Sequence, residues 1–267
     1  MMKRGQIWIF VVMILFAVVM IYPFFFMINT SFKSNAQFLG ASGHSMLSWH
    51  KLFSALPVGR ELLNSTVVCA GSILIILIVS TMAGYSLSKL RSKASWIFFL
   101  GIVGAMLIPL QSIIIPAYIN ASHWNLLSGY WGAIFLYAAL GTPFASFLMT
   151  SYFRGLPDEL IEAAICDGLS YRRIFNKIAL PLAVPAIVTV IVLQFIQIWD
   201  DLLVGLLFIQ DPNYRTITVG LGALSAGRTT DIPVLMAGSL ISAIPAVAVY
   251  LIFQRQLVNG LTAGIGK

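Results

Sequence analysis

From Leu156 to Pro181 the chain reads L-P-D-E-L-I-E-A-A-I-C-D-G-L-S-Y-R-R-I-F-N-K-I-A-L-P, its longest polar interruption with helical character. Asp158 and Glu159 sit where a first helical turn falls, favourable against the positive end of the helix dipole. Leu160, Ile161, Ala164 and Ile165 share one apolar face, and Glu159, Glu162 and Cys166 fall elsewhere. Gly168 can end the helix in the left-handed conformation, and Ser170 can cap a second one. On that second helix Ile174, Phe175 and Ile178 oppose Arg172, Arg173 and Lys177. The spacing predicts two short amphipathic helices hinged at a glycine, a lever-like object. Spacing alone leaves open an interfacial helix lying on a bilayer.

Working outward, hydrophobic residues make up 59% of the 267 and charged residues only 9%. A soluble protein of this size carries about a quarter charged residues, so a water-facing globule is excluded. The expected fold is all-α: a polytopic membrane protein, one transmembrane domain over 1–267. Its six apolar runs lie at about 7–28, 62–87, 96–119, 129–152, 182–209 and 233–253, with the lever at 156–181. Each run suits a bilayer core of about 30 Å. The first is too long for a signal-peptide core and lacks a small-residue cleavage site, so it is read as an uncleaved span.

Placing the N-terminus inside puts Lys3, Arg4, Lys89, Arg91, Lys93, Arg154, Arg172, Arg173, Lys177, Arg255 and Lys267 in the cytoplasm. Lys33, Lys51, Arg60, Arg215 and Arg228 fall outside. Eleven against five is a positive-inside bias. It puts both termini and the lever in the cytoplasm of a cell (inner) membrane protein. Small residues recur every fourth position at Ala138, Thr142 and Ser146 and at Gly238, Ser242 and Ala246, a spacing that lets helices approach closely. Prolines at 23, 109, 116, 143, 185 and 245 permit bends.

The chain carries no sign of an engine. The ending Gly264-Ile265-Gly266-Lys267 lacks the serine or threonine of a phosphate-cradling loop. His44, His50 and His123 lie in outer loops without an acid cluster, and Cys69 and Cys166 form no metal or disulfide framework, so no catalytic or metal site is expected. Asp200 and Asp201, after Trp199, are the only adjacent acids inside an apolar run. A carboxylate at a bilayer centre costs about 2.5–3.5 kcal/mol on insertion scales, so they belong at the outer mouth or against a water-filled cavity. Gln194 and Gln197 form one polar stripe with Asp201, a candidate substrate path. Trp199 can stack on a sugar ring or anchor the interface.

Glu162-Ala163-Ala164, three residues, Gly168, nine residues, then Ile178-x-Leu180-Pro181 resembles the EAA loop of binding-protein-dependent ABC importer permeases. Further segments are similar to the carbohydrate-uptake, maltose-transporter-type branch. They include Tyr22-Pro23, Asn29-Thr30-Ser31-Phe32-Lys33, Ile108-Pro109-Leu110-Gln111, Gly141-Thr142-Pro143-Phe144 and Phe208-Ile209-Gln210-Asp211. Trp199-Asp200-Asp201 departs from the Trp-Asn-Asp-like segment common there.

The resemblance implies a type I importer permease forming half of a path for a sugar or oligosaccharide. Its partners would be a second homologous permease, two ATPase subunits and an extracellular solute-binding protein, with membrane lipid around it and no nucleic acid. It further implies that Glu162, Ala163, Ala164, Asp167, Gly168, Ile178, Leu180 and Pro181 couple to the ATPase, which holds the ATP and Mg; this chain needs no cofactor. Related branches import glycerophosphodiesters or amino sugars. Gly168→Asp or Glu162→Lys is expected to uncouple ATP hydrolysis from uptake. An ion-coupled secondary transporter is the alternative; it predicts ionisable residues near the midplane, and most spans carry no charge. An intramembrane enzyme would need a nucleophile–base pair in spans that hold no histidine.

Overall fold

The computed structural model describes residues 4–89, 92–227 and 231–263, and every regular element among them is helical. Lys3, Arg91, Arg228, Lys267 and the Gly264–Lys267 tail lie outside the described residues. The order begins α1 (Arg4–Ser31), α2 (Asn35–Phe38), α3 (Leu47–Ala55), α4 (Val58–Lys89), α5 (Lys93–Ala105), α6 (Leu110–His123) and α7 (Trp131–Arg154). Next come α8 (Asp158–Cys166), α9 (Tyr171–Ile174), a π turn (Phe175–Ala179), α10 (Leu180–Leu182) and α11 (Val184–Trp199). The chain continues with α12 (Leu203–Phe208), a 3-10 turn (Pro212–Tyr214), α13 (Ile217–Ser225) and α14 (Ile232–Ala263).

Helices α1, α4, α7 and α14 are each long and apolar enough to cross a membrane. Two bent pairs raise the number to six if each is one span: α5 with α6, bent 97°, and Tyr171–Leu182 with α11, bent 69°. The stretch 96–119 is thus two helices broken at 106–109, because Pro109 disfavours helical geometry in the residue before it. The stretch 182–209 is interrupted twice, at Ala183 between Pro181 and Pro185 and again at 200–202. Each of those prolines removes a backbone donor, so the helix is weakest between them. Pro23, Pro116, Pro143 and Pro245 instead sit inside helices that continue through them.

The backbone groups into two compact units, Met1–Gly59 with Gly220–Ile244 and Arg60–Val219 with Pro245–Lys267. In the first, the most apolar part of α1 buries nothing against the chain, and only its end turns inward at Thr30 and Ser31. A capping box between Ser34 and Gln37 starts α2. The Ser48 hydroxyl donates to the Lys33 carbonyl, and the Phe32 and Trp49 rings lie 5.7 Å apart. Lys51 pairs with Asp231 at 2.8 Å, tying α3 to the residue before α14.

In the second unit α4 and α7 run side by side in the same direction. Ser72 faces the Ile134 carbonyl, Ile76 reaches Gly141, and Tyr85 meets Phe153 edge-on at 5.6 Å. The buried face of α4 follows the helical period through Val68, Cys69, Ser72, Ile73, Ile76 and Ser80. Helix α7 also packs against α5, α11 and α12, which makes it the centre of this unit.

Candidate functional site

Helix α8 begins at Asp158 with no side-chain cap, and its first-turn acids Asp158 and Glu159 offset the open N–H groups. It ends as the sequence expects. Gly168 has φ 76°, the Gly168 N–H reaches the Ile165 carbonyl at 2.9 Å, and the Leu169 N–H reaches Ala164 at 3.0 Å. This pair of bonds is a Schellman closure, with Leu169 packed back onto the helix. At Ser170 the structure corrects the expectation. The residue stands at the N-cap of α9, but its hydroxyl makes no capping bond; the Ser170 carbonyl instead accepts the Ile174 N–H at 3.0 Å.

Ile161, Ala164 and Ile174 form the buried seat of the lever, with Tyr85, Leu169 and Ile178 packed against it. Burying an isoleucine contributes about 1.5–3 kcal/mol, against about 0.3–1 kcal/mol for a charge at a helix end, so the apolar face decides the docking. The expected face is narrower than the spacing suggested: Leu160 and Ile165 are 45% and 43% exposed. Glu162, Ala163, Cys166, Asp167 and Gly168 face outward, as do Arg172, Arg173 and Lys177. Ala164 therefore meets its own chain, while Ala163 is left open. Past α9 the helix widens into the π turn, where the Leu180 N–H reaches back to Phe175, immediately before Pro181. A wide turn there accommodates a proline that cannot donate to the helix.

The candidate path residues divide. Gln194 is buried (2% exposed), and its Oε1 lies so close to Gly141 that a side chain there would collide with it. Asp201 accepts from the Tyr137 hydroxyl at 2.8 Å and from the Val204 N–H at 2.8 Å, so one carboxylate satisfies a first-turn N–H of α12 and ties it to α7. Trp199 is 3% exposed and stacked on Phe195 at 5.1 Å, and its carbonyl accepts from Thr218 at 2.9 Å. Its ring is thus taken up within the chain. Gln197 and Asp200 are exposed, so the expected stripe of Gln194, Gln197 and Asp201 is split between inside and outside. A cavity of about 40 Å³ remains between Tyr137, Gly141, Gln194, Gln197 and Asp201. Among the described residues no group of three or more His, Cys, Asp or Glu is gathered to hold a metal.

Three residues outside the sequence-based sets belong to these sites. Tyr137 holds Asp201, and Tyr85 and Lys89 meet the lever. Tyr85 and Lys89 lie four apart on α4, a shared-face spacing that was legible but carried no polar pattern.

Residues 73–262 match the family described as binding-protein-dependent transport system inner membrane component. The chain belongs to that family. It is 33% identical to the Bacillus subtilis (strain 168) protein named "Probable ABC transporter permease protein YurM", over 98% of this chain and 88% of the relative. It is 32% identical to the trehalose/maltose transport system permease protein MalG of Thermococcus litoralis, over 95% of this chain and 94% of the relative. It also superposes on a chain of a bacterial ABC transporter involved in the import of the acidic polysaccharide alginate. The TM-score is 0.80 at 22% identity, covering 96% of this chain and 98% of that one. The fold is therefore the all-α, multi-pass membrane architecture of type I ABC importer permeases, and family membership does not favour an ion-coupled carrier.

Proposed function

We propose that this chain is one of two homologous permease subunits of an ATP-driven importer and forms half of a path for a sugar or oligosaccharide. An extracellular binding protein delivers the solute, and two separate ATPase subunits hold the ATP and Mg. The lever then lies in the cytoplasm with both termini. The carrying observation is the two-sided lever: Ile161, Ala164 and Ile174 seat it on its own chain, while Glu162, Ala163 and Gly168 of the motif, with Asp167 beside them, are left outward. A rigid helix seated in a cleft of the ATPase can transmit the roughly 5.5 kcal/mol that moves a two-state equilibrium from 1:99 to 99:1. Ile178, Leu180 and Pro181 pass the motion through the π turn into α11. Gln197 and Asp200 meet the solute, and Gln194, Trp199 and Asp201 shape the wall behind them. Sugar as cargo is supported by the relative named for trehalose and maltose.

The test is purification of the tagged chain from its source, followed by reconstitution with whatever copurifies. An ATP-hydrolysing partner and uptake that stops on ATP depletion are expected. Purification without any ATPase, or uptake that persists on an ion gradient alone, overturns the proposal.

A further inference from the structure

The lever joins the rest of the chain in two unlike ways. At its C-terminal end it continues through the π turn and Pro181 into α11, a joint with a wide turn and a missing backbone donor. At its N-terminal end it is bolted to another helix. Lys89, the last residue of α4, donates from Nζ to the Leu156 carbonyl at 3.0 Å and to Asp158 Oδ1 at 2.9 Å. The lysine side chain is only 14% exposed, while its Asp158 partner is 46% exposed. Two of the three ammonium donors are thus spent on both sides of Pro157, across the link between α7 and α8. One turn earlier on the same face of α4, Tyr85 packs against the seat formed by Ile161, Ala164 and Ile174.

We infer that Lys89 is a positioning residue that makes α8 and α4 move as one body, so that the pull of the ATPase reaches the bundle through α4 before it reaches α11. This rests on the importer reading above and adds the route of transmission to it. An ion pair whose acid is open to solvent contributes little to folding, so its removal frees the joint without unfolding the chain. A lysine that merely anchored the membrane surface would act through its charge alone and would need no partner at Asp158.

The experiment uses the complex of this chain with its copurified ATPase, trapped with ATP and vanadate or left nucleotide-free. In a Cys166→Ser background, Met82→Cys on α4 and Ser170→Cys on the lever take spin labels, and the distance distribution between them is measured. The unaltered joint is expected to keep one narrow distribution in both states. Lys89→Gln is expected to broaden it at least twofold on trapping, with ATP hydrolysis retained. Asp158→Asn, which leaves the Leu156 bond, broadens it less, and the swap Lys89→Asp with Asp158→Lys narrows it again. A Lys89→Gln distribution as narrow as that of the unaltered joint overturns the inference, as does a swap no narrower than Lys89→Gln alone. Should Lys89→Gln fail to assemble, an Asp158→Asn distribution unchanged on trapping also overturns it. Absence of an ATPase from the wild-type preparation marks failure of the importer reading itself, a result that the variants cannot mimic.

Discussion

The lever at 156–181 and the break at 200–202 are both polar interruptions of an apolar chain, and they treat their polar groups in opposite ways. On the lever, Glu162, Asp167, Arg172, Arg173 and Lys177 point outward, and isoleucines do the seating. At the break Asp201 turns inward and finds partners, while Asp200 stays exposed. Asp201 takes Tyr137 and the Val204 N–H, and the loop beyond is stapled by Asn64, whose Nδ2 donates to the Asn213 and Arg215 carbonyls at 3.0 and 2.8 Å. Tyr130 donates to Asn64 Oδ1 at 2.7 Å, and its ring meets Tyr214 edge-on. A buried polar group without a partner costs about 1–3 kcal/mol, so the inward set is determined within this chain. The outward set is solvated at no cost and stays available to another protein.

The contrast is open to attack by substitution, with thermal unfolding of the purified chain in detergent as the measure. The largest effect belongs to Gly141→Leu. A Cβ added at Gly141 would stand 2.3 Å from Gln194 Oε1 and 2.6 Å from Ile76 Cδ1, and overpacking of this kind costs about 3 kcal/mol. Gly168→Val comes next, at about 2 kcal/mol. Nothing crowds that site, and the penalty arises from φ 76° alone, so the loss falls on the lever's hinge. Tyr137→Phe follows at about 1 kcal/mol, for one hydrogen bond lost at the break, together with faster amide exchange in α12. Glu162→Gln is expected to move stability by less than about 0.5 kcal/mol while lowering ATP-driven uptake in the reconstituted complex. Equal destabilisation by Glu162→Gln and Tyr137→Phe would erase the distinction between outward and inward polar groups. A large effect of Glu162→Gln on uptake alone would sharpen it.

Much of the lever was legible because its signals are local. The glycine at 168, the first-turn acids and the alternation of Ile174, Phe175 and Ile178 with basic residues act within one or two helical turns, and the structure shows each of them. The misjudged details were those that depend on a neighbour. Leu160 and Ile165 share the apolar face by spacing, yet α4 presents Tyr85 to only part of it. The bends at 106–109 and 183 were signalled by their prolines, but Pro23, Pro116, Pro143 and Pro245 carry the same signal inside helices that do not break. Proline removes a donor everywhere; whether the helix bends depends on what packs beside it.

Sequence by itself determined the membrane class, the apolar runs and the outward chemistry of the lever, because hydrophobic length and helical period act along the chain. Tertiary structure alone decided that Asp201 holds Tyr137 and that Lys89 grips Leu156 and Asp158. Those partners are 64, 67 and 69 residues away respectively. A contact across such a separation exists only once two helices have been brought together.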